Sequence, residues 1–223
     1  EFCNDAVVMA RFDSYVFEAG SNFKAHAELC NYRPELKGGK LICTLALESG
    51  EVIGKVEKDF VPEGNYTDIC DAEFTFPQVE KNTKAVLSLE IEGTDIHNHY
   101  DLWVIPAVEK ADISGAYIFD EVNDEAESLL KQGKTVLILP DLSKLENSIE
   151  GFYCQDFWCY HMFCIISQMM KKPDPVGTMG LLIDTDHPAL AGFAGEKYST
   201  PQWWEIVQNS RSVILDDFEG EKN

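Results

Sequence analysis

Long apolar runs are missing from this 223-residue chain. Its longest, such as Thr135–Leu139 and Phe163–Ile166, fall far short of the ~20 residues that a spanning helix needs. No leader peptide is visible. The start at Glu1-Phe2-Cys3, without Met, is expected of a chain whose leader was removed or that was cut from a longer protein. Positive charge is scarce, with 18 Lys and Arg against 39 Asp and Glu, a formal net charge of −21. Phosphate backbones are bound by clustered cations that displace counterions, so a nucleic-acid partner is excluded, whereas a neutral partner such as a sugar is not. Gly-rich phosphate loops are also lacking: Gly38-Gly39-Lys40 reads as a turn without the remaining Gly and Ser/Thr. The seven cysteines are an odd count and show no zinc-finger spacing. Cys154, Cys159 and Cys164 recur every five residues, which spreads them around a helix; free thiols are the expected state for most of the seven, with one or two unassigned disulfides as the alternative in an exported protein.

What remains is a globular composition, 45% hydrophobic, with a length that suits two modest domains. The two halves differ in periodicity. Up to residue 107 the chain reads as strands: Val7–Phe12, Phe23–Leu29, Leu41–Leu47, Asp71–Phe76, Ala85–Ile91 and Tyr100–Ile105. Turn formers such as Lys37-Gly38-Gly39 and Pro62-Glu63-Gly64-Asn65 separate them. About seven short strands over roughly 100 residues is the pattern of an immunoglobulin-like β-sandwich. After Pro106 strands alternate with helices. Ala116–Phe119 is a strand, Asp124–Lys131 a helix capped near Gly133, and Thr135–Leu139 a strand expected to be buried on both faces. A helix through Phe157–Met170, a strand at Gly180–Ile183, a helix at Pro201–Gln208 and a strand at Ser212–Leu215 follow. That order predicts an α/β domain over residues 108–223, with a parallel sheet between helices.

No set of acid, base and nucleophile assembles into an active site, so no catalytic residue and no cofactor is assigned. Asp95, His97, His99 and Asp101 would share one face of an extended strand, and His-x-His is a ligand spacing for zinc. The polar outer face of a hairpin explains them as well. Cys154 lacks the second Gly of a nucleophile elbow, and His161 lies too close in sequence to serve it. Among 39 acidic residues some pair will always meet the spacing of a glycosidase site, so acidity alone is no signal. The aromatics are more distinctive. Tyr153, Trp158, Tyr160, Tyr198, Trp203 and Trp204 crowd the second half, and sugar rings present apolar faces that stack on such side chains. Core filling ranks ahead of an interdomain interface, and that ahead of sugar contact. Adjacent residues on a helix point about 100° apart, so Trp203 and Trp204 cannot be buried alike.

Two groups of strings carry a family resemblance. The first is Phe23–Tyr32 with Asn98-His99-Tyr100-Asp101-Leu102-Trp103-Val104-Ile105-Pro106. The second is Gly133–Leu137, Asp156-Phe157-Trp158, Gly180–Asp184, His187–Leu190 and Gln202-Trp203-Trp204. Together they resemble the C-terminal accessory region of bacterial glycoside hydrolases of family two, the β-galactosidase-like proteins with sugar-binding domains. The resemblance implies an immunoglobulin-like sandwich, with Asn98–Pro106 as its final strand, followed by a three-layer flavodoxin- or class I glutamine-amidotransferase-like α/β domain. It further implies a non-catalytic tail in carbohydrate degradation, partnered by the catalytic (β/α)₈ barrel of its parent chain. That tail would contact glycan and be periplasmic or secreted. A chain of this length spent on two other domains has no room for the barrel, so it inherits none of the family's catalytic residues. A free-standing carbohydrate-binding protein is the alternative, and a small thiol hydrolase ranks last.

Overall fold

The computed structural model describes residues 4–107, 114–145, 148–151, 153, 160–171, 183–190, 193 and 195–214. Two compact units divide the chain: Glu1–Ala107 with Ile183–Lys197, and Val108–Leu182 with Tyr198–Asn223.

The first unit is all β. Its strands are β1 (Ala6–Arg11), β2 (Val16–Glu18), β3 (Asn22–Asn31), β4 (Gly39–Leu47), β5 (Val52–Phe60), β6 (Tyr66–Thr75), β7 (Thr83–Ile91) and β8 (His97–Ile105). They form two sheets, β1-β3-β6 and β2-β8-β7-β4-β5. The opening segment contributes to both: β1 runs antiparallel to β3, and β2 runs parallel to β8. This is an immunoglobulin-like sandwich, built because alternate residues along each strand are apolar and the two apolar faces cover one another. Leu29, Leu41, Leu45, Leu87, Leu102 and Val104 are wholly buried between the sheets. Each contributes about 1.5–3 kcal/mol by leaving water. Phe12, Phe17, Phe23, Phe74 and Phe76 close one part of this core in edge-to-face, tilted and stacked contacts, with Phe17 and Phe23 centred 5.0 Å apart.

The strands expected at Val7–Phe12, Phe23–Leu29, Leu41–Leu47, Asp71–Phe76, Ala85–Ile91 and Tyr100–Ile105 all lie within or overlap observed ones. β2 and β5 were not expected. β5 pairs only with β4 and carries Lys55, Glu57, Lys58 and Asp59, the charges of an edge strand. Its Gly54 has a packing cause, since a Cβ there would lie 2.8 Å from the Phe74 ring.

In the second unit β9 (Ala116–Phe119), α1 (Asp124–Lys131) and β10 (Thr135–Ile138) form a βαβ unit whose two strands pair in parallel. The Asn123 side chain caps α1 by accepting from the Ala126 N–H at 2.9 Å. Gly133, at φ +72°, ends it by donating to the Leu130 carbonyl, while Lys134 donates to that of Leu129. Beyond this, β11 (Ser148–Glu150) pairs antiparallel with β12 (Arg211–Val213). The helices α2 (Tyr160–Met169) and α3 (Trp204–Gln208) complete the set, the latter entered through a 3₁₀ turn at Pro201–Trp203.

The three-layer doubly wound sheet is therefore corrected. Among the described residues of the second unit there is one two-stranded parallel pair, and β12 joins an antiparallel pair instead of extending it. The run Thr135–Leu139 does not sit buried on both faces, since Leu137 and Leu139 are 39% and 57% exposed. A continuous apolar run signals strand propensity but does not fix how many neighbours cover it. The strand expected at Gly180–Ile183 lies almost wholly outside the described residues.

Candidate functional site

A connected polar cluster lies on the outer face of the β1-β3-β6 sheet. Period-two alternation in β3 turns Phe23, Ala25 and Ala27 inward and Lys24, His26 and Glu28 outward. Opposite them, His26 pairs with Asp71 of β6, and Glu28 pairs with Asp68. Those two carboxylates would fall on opposite faces of a regular strand. A bulge between Ala27 and Glu28 absorbs the extra residue of β6 and brings both to the outer face. Arg11 arrives from β1, directly across from His26.

The resulting contacts form one connected chain. Lys24 Nζ lies 2.6 Å from Asp71 Oδ2, and Asp71 Oδ1 lies 2.7 Å from His26 Nδ1. The other ring nitrogen, His26 Nε2, lies 3.2 Å from Asp68 Oδ1 and 3.9 Å from Glu28 Oε1. Arg11 donates to Glu28 and, at 2.5 Å, to the Tyr66 hydroxyl. Glu28 is the unusual member, a carboxylate only 4% exposed on the outward side of a sheet. A buried charge is tolerated only when paired, and Arg11 supplies the pairing.

Electrostatics follow from these contacts. Hydrogen bonds to Asp71 and then Asp68 raise the His26 pKa above its ordinary value. Asp71 is held below the usual carboxylate range, first by Lys24 and then by His26. Its bond to Glu28 raises the Tyr66 hydroxyl. Alongside, an open cleft of about 680 Å³ is lined by Arg11, Phe12, Tyr15, Lys24 and His26. A second, of about 610 Å³, shares Lys24 and continues past Lys55 and Glu73. This arrangement can hold a cation among its oxygens and His26, or an anion against Arg11 and Lys24.

Sequence reasoning missed this cluster. The alternation Lys24-x-His26-x-Glu28 was legible, and the logic applied to His97 and His99 reaches it equally well. The bulge that adds both Asp68 and Asp71 leaves no mark in the sequence.

His97 and His99 do share the outer face of β8. Their acidic neighbours are committed elsewhere, however: Asp95 to Arg33 at 2.5 Å and Asp101 to Lys84 at 2.7 Å. The His97 ring lies 3.0 Å from the Asp95 carbonyl. Among the described residues the group with metal-ligand spacing is instead His26, Glu28 and Asp68.

The aromatics divide. Tyr153 is half-buried, its hydroxyl donating to the Ser199 carbonyl and its N–H to Gln208 of α3, both at 3.4 Å. Tyr198 is 73% exposed and Trp204 41%, whereas Trp203 is half-buried. Trp158 and the Tyr160 side chain lie outside the described residues, as do Cys154 and Cys159. Cys164 is a half-buried free thiol, and burial together with the nearby Cys70 pushes Cys43 up to about 12. No described helix is long and apolar enough to cross a membrane.

Two family models match the chain, both domains of unknown function: DUF8488 over residues 21–106 and DUF8487 over residues 117–222. No curated protein matches it. Among solved structures it is similar to the CARDB domain of the PF1109 protein of Pyrococcus furiosus, solved in complex with di-metal ions. The identity is 12% over 47% of this chain and 94% of that one, with a TM-score of 0.34. It is also similar to the β-glucuronidase of Parabacteroides merdae, at 8% identity over 46% and 14%, with a TM-score of 0.31. For a β-galactosidase-like protein from Bacteroides fragilis the figures are 15%, 44%, 16% and 0.29. The matched part is thus a small fraction of the two hydrolases, and likeness at this level carries no argument about activity.

Proposed function

We propose that the chain is a non-catalytic accessory module of a family-two glycoside hydrolase, working by packing against and orienting a catalytic barrel in glycan degradation. The observation that carries this reading is the last strand of the sandwich. The string Asn98–Pro106, one of those that carry the resemblance, overlaps β8. There Trp103 is buried, and its strand is paired on both sides, with β2 and β7. The same string also anchors the sandwich internally, because the buried Asn98 amide donates to the Val8 carbonyl of the facing sheet at 3.0 Å. A periplasmic or secreted location belongs to this reading. The coding frame on the N-terminal side of Glu1 tests it: a (β/α)₈ barrel there supports the proposal, and an in-frame stop codon there overturns it.

A second reading, a free-standing carbohydrate-binding protein, is favoured by the exposure of Tyr198 and Trp204. A glycan array separates the two. Binding that Trp204→Ala abolishes while the melting temperature holds favours the second reading, and an array without hits removes it.

A further inference from the structure

We propose that His26, Glu28 and Asp68 form a binding site for a divalent transition metal on the outer face of the sandwich, with Asp71 orienting His26 and Arg11 competing with the metal for Glu28. One donor atom from each of the three residues lies within 4.8 Å of the other two. Donors bound to a single tetrahedral ion at zinc-like bond lengths stand roughly 3.4 Å apart. The observed separations from His26 Nε2, 3.2 Å to Asp68 and 3.9 Å to Glu28, straddle that value. One nitrogen with two carboxylates suits zinc, cobalt or manganese better than calcium, which takes oxygen alone.

The second ring nitrogen supports the assignment. Metal-bound histidines characteristically give their remaining N–H to a carboxylate, which fixes the tautomer and leaves the other nitrogen free to ligate. Asp71 occupies that place, 2.7 Å from Nδ1, and Lys24 anchors it from behind at 2.6 Å. All three ligands sit on paired strands, and Glu28 is 4% exposed, so little ordering remains to be done on binding.

Charge determines the role of Arg11. Three carboxylates, Glu28, Asp68 and Asp71, face two permanently charged cations, Arg11 and Lys24. A divalent ion added to both would overcompensate, so the guanidinium must leave as the ion enters. Its side chain is 69% exposed and free to swing into solvent. Arg11 therefore holds Glu28 in the metal-free protein and sets the affinity by competition.

The test is a cobalt(II) titration of the full chain followed by visible absorption. Binding is expected to give a d–d band without the near-ultraviolet band of thiolate ligation. His26→Ala should weaken it by about tenfold or more, the usual consequence of disturbing a ligand shell. Arg11→Gln should tighten it about tenfold, a gain that neither a merely structural ion pair nor misfolding would produce. A His97→Ala/His99→Ala double variant should bind as the unaltered chain does. Wild-type affinity in His26→Ala, a thiolate band, or loss of binding in the double variant overturns the site. Unchanged or weaker binding by Arg11→Gln overturns the competition.

Discussion

The βαβ strands are richer in apolar residues than the sandwich strands yet bury them far less. Leu41, Leu45 and Leu87 have no exposed surface, while Ile118 of β9 and Leu137 of β10 retain 45% and 39%. The sandwich is closed by its own two sheets, each face covering the other. In the second unit α1 packs on β10, but two strands of four residues cannot enclose their own side chains. Apolar sequence therefore predicts a strand in both places and burial in only one.

The largest expected difference lies in core truncation. Leu45→Ala should lower stability by about 3–5 kcal/mol in urea unfolding, as for other fully buried leucines, and Leu137→Ala by about 1 kcal/mol or less. Equal losses would break the comparison. Gly54→Ala should destabilise by about 1–3 kcal/mol, because its new methyl meets the Phe74 ring at 2.8 Å. A neutral outcome would show that β5 is free to move away from β6. Hydrogen exchange should leave the amides of β4, β7 and β8 protected longest and those of β9 and β10 exchanging sooner. The reverse order would place the stable nucleus in the second unit.

The smallest effect is electrostatic. Arg33 holds the Asp95 carboxyl below the usual range through a hydrogen bond. Its contribution to stability is present above the unfolded value of about 3.9 and is lost as pH falls through the lowered folded value. In an NMR titration Arg33→Ala should move the Asp95 midpoint upward, and an unmoved midpoint would remove Arg33 as the cause.

Legibility in the sequence tracks alternation. β3, β4, β7 and β8 announce themselves because most of their inward positions are apolar at period two. β5 does not, because it has one neighbour and a charged outer side, and the three-residue β2 is too short to show a period. In the second half the helix at Asp124–Lys131 was readable from the Gly133 at its end, a signal local to the chain. Sheet order is not local, and the wound parallel sheet expected there does not appear among the described residues. The polar cluster divides along the same line. Lys24, His26 and Glu28 follow from period two, whereas Asp68 and Asp71 share their face only through pairing with a strand some forty residues away.

That irregularity in β6 also fixes where the chain tolerates a change of length. Ile69 is the residue without a Cα partner in the β3–β6 ladder, since Ala27 pairs with Cys70 and Glu28 with Asp68. Excising it would leave every flanking side chain pointing as before and merely straighten the ribbon. Deleting a residue of β6 farther from the bulge would instead invert the side chains between the cut and the bulge. Deletions that survive in this strand should therefore fall at Ile69 or at its immediate neighbours.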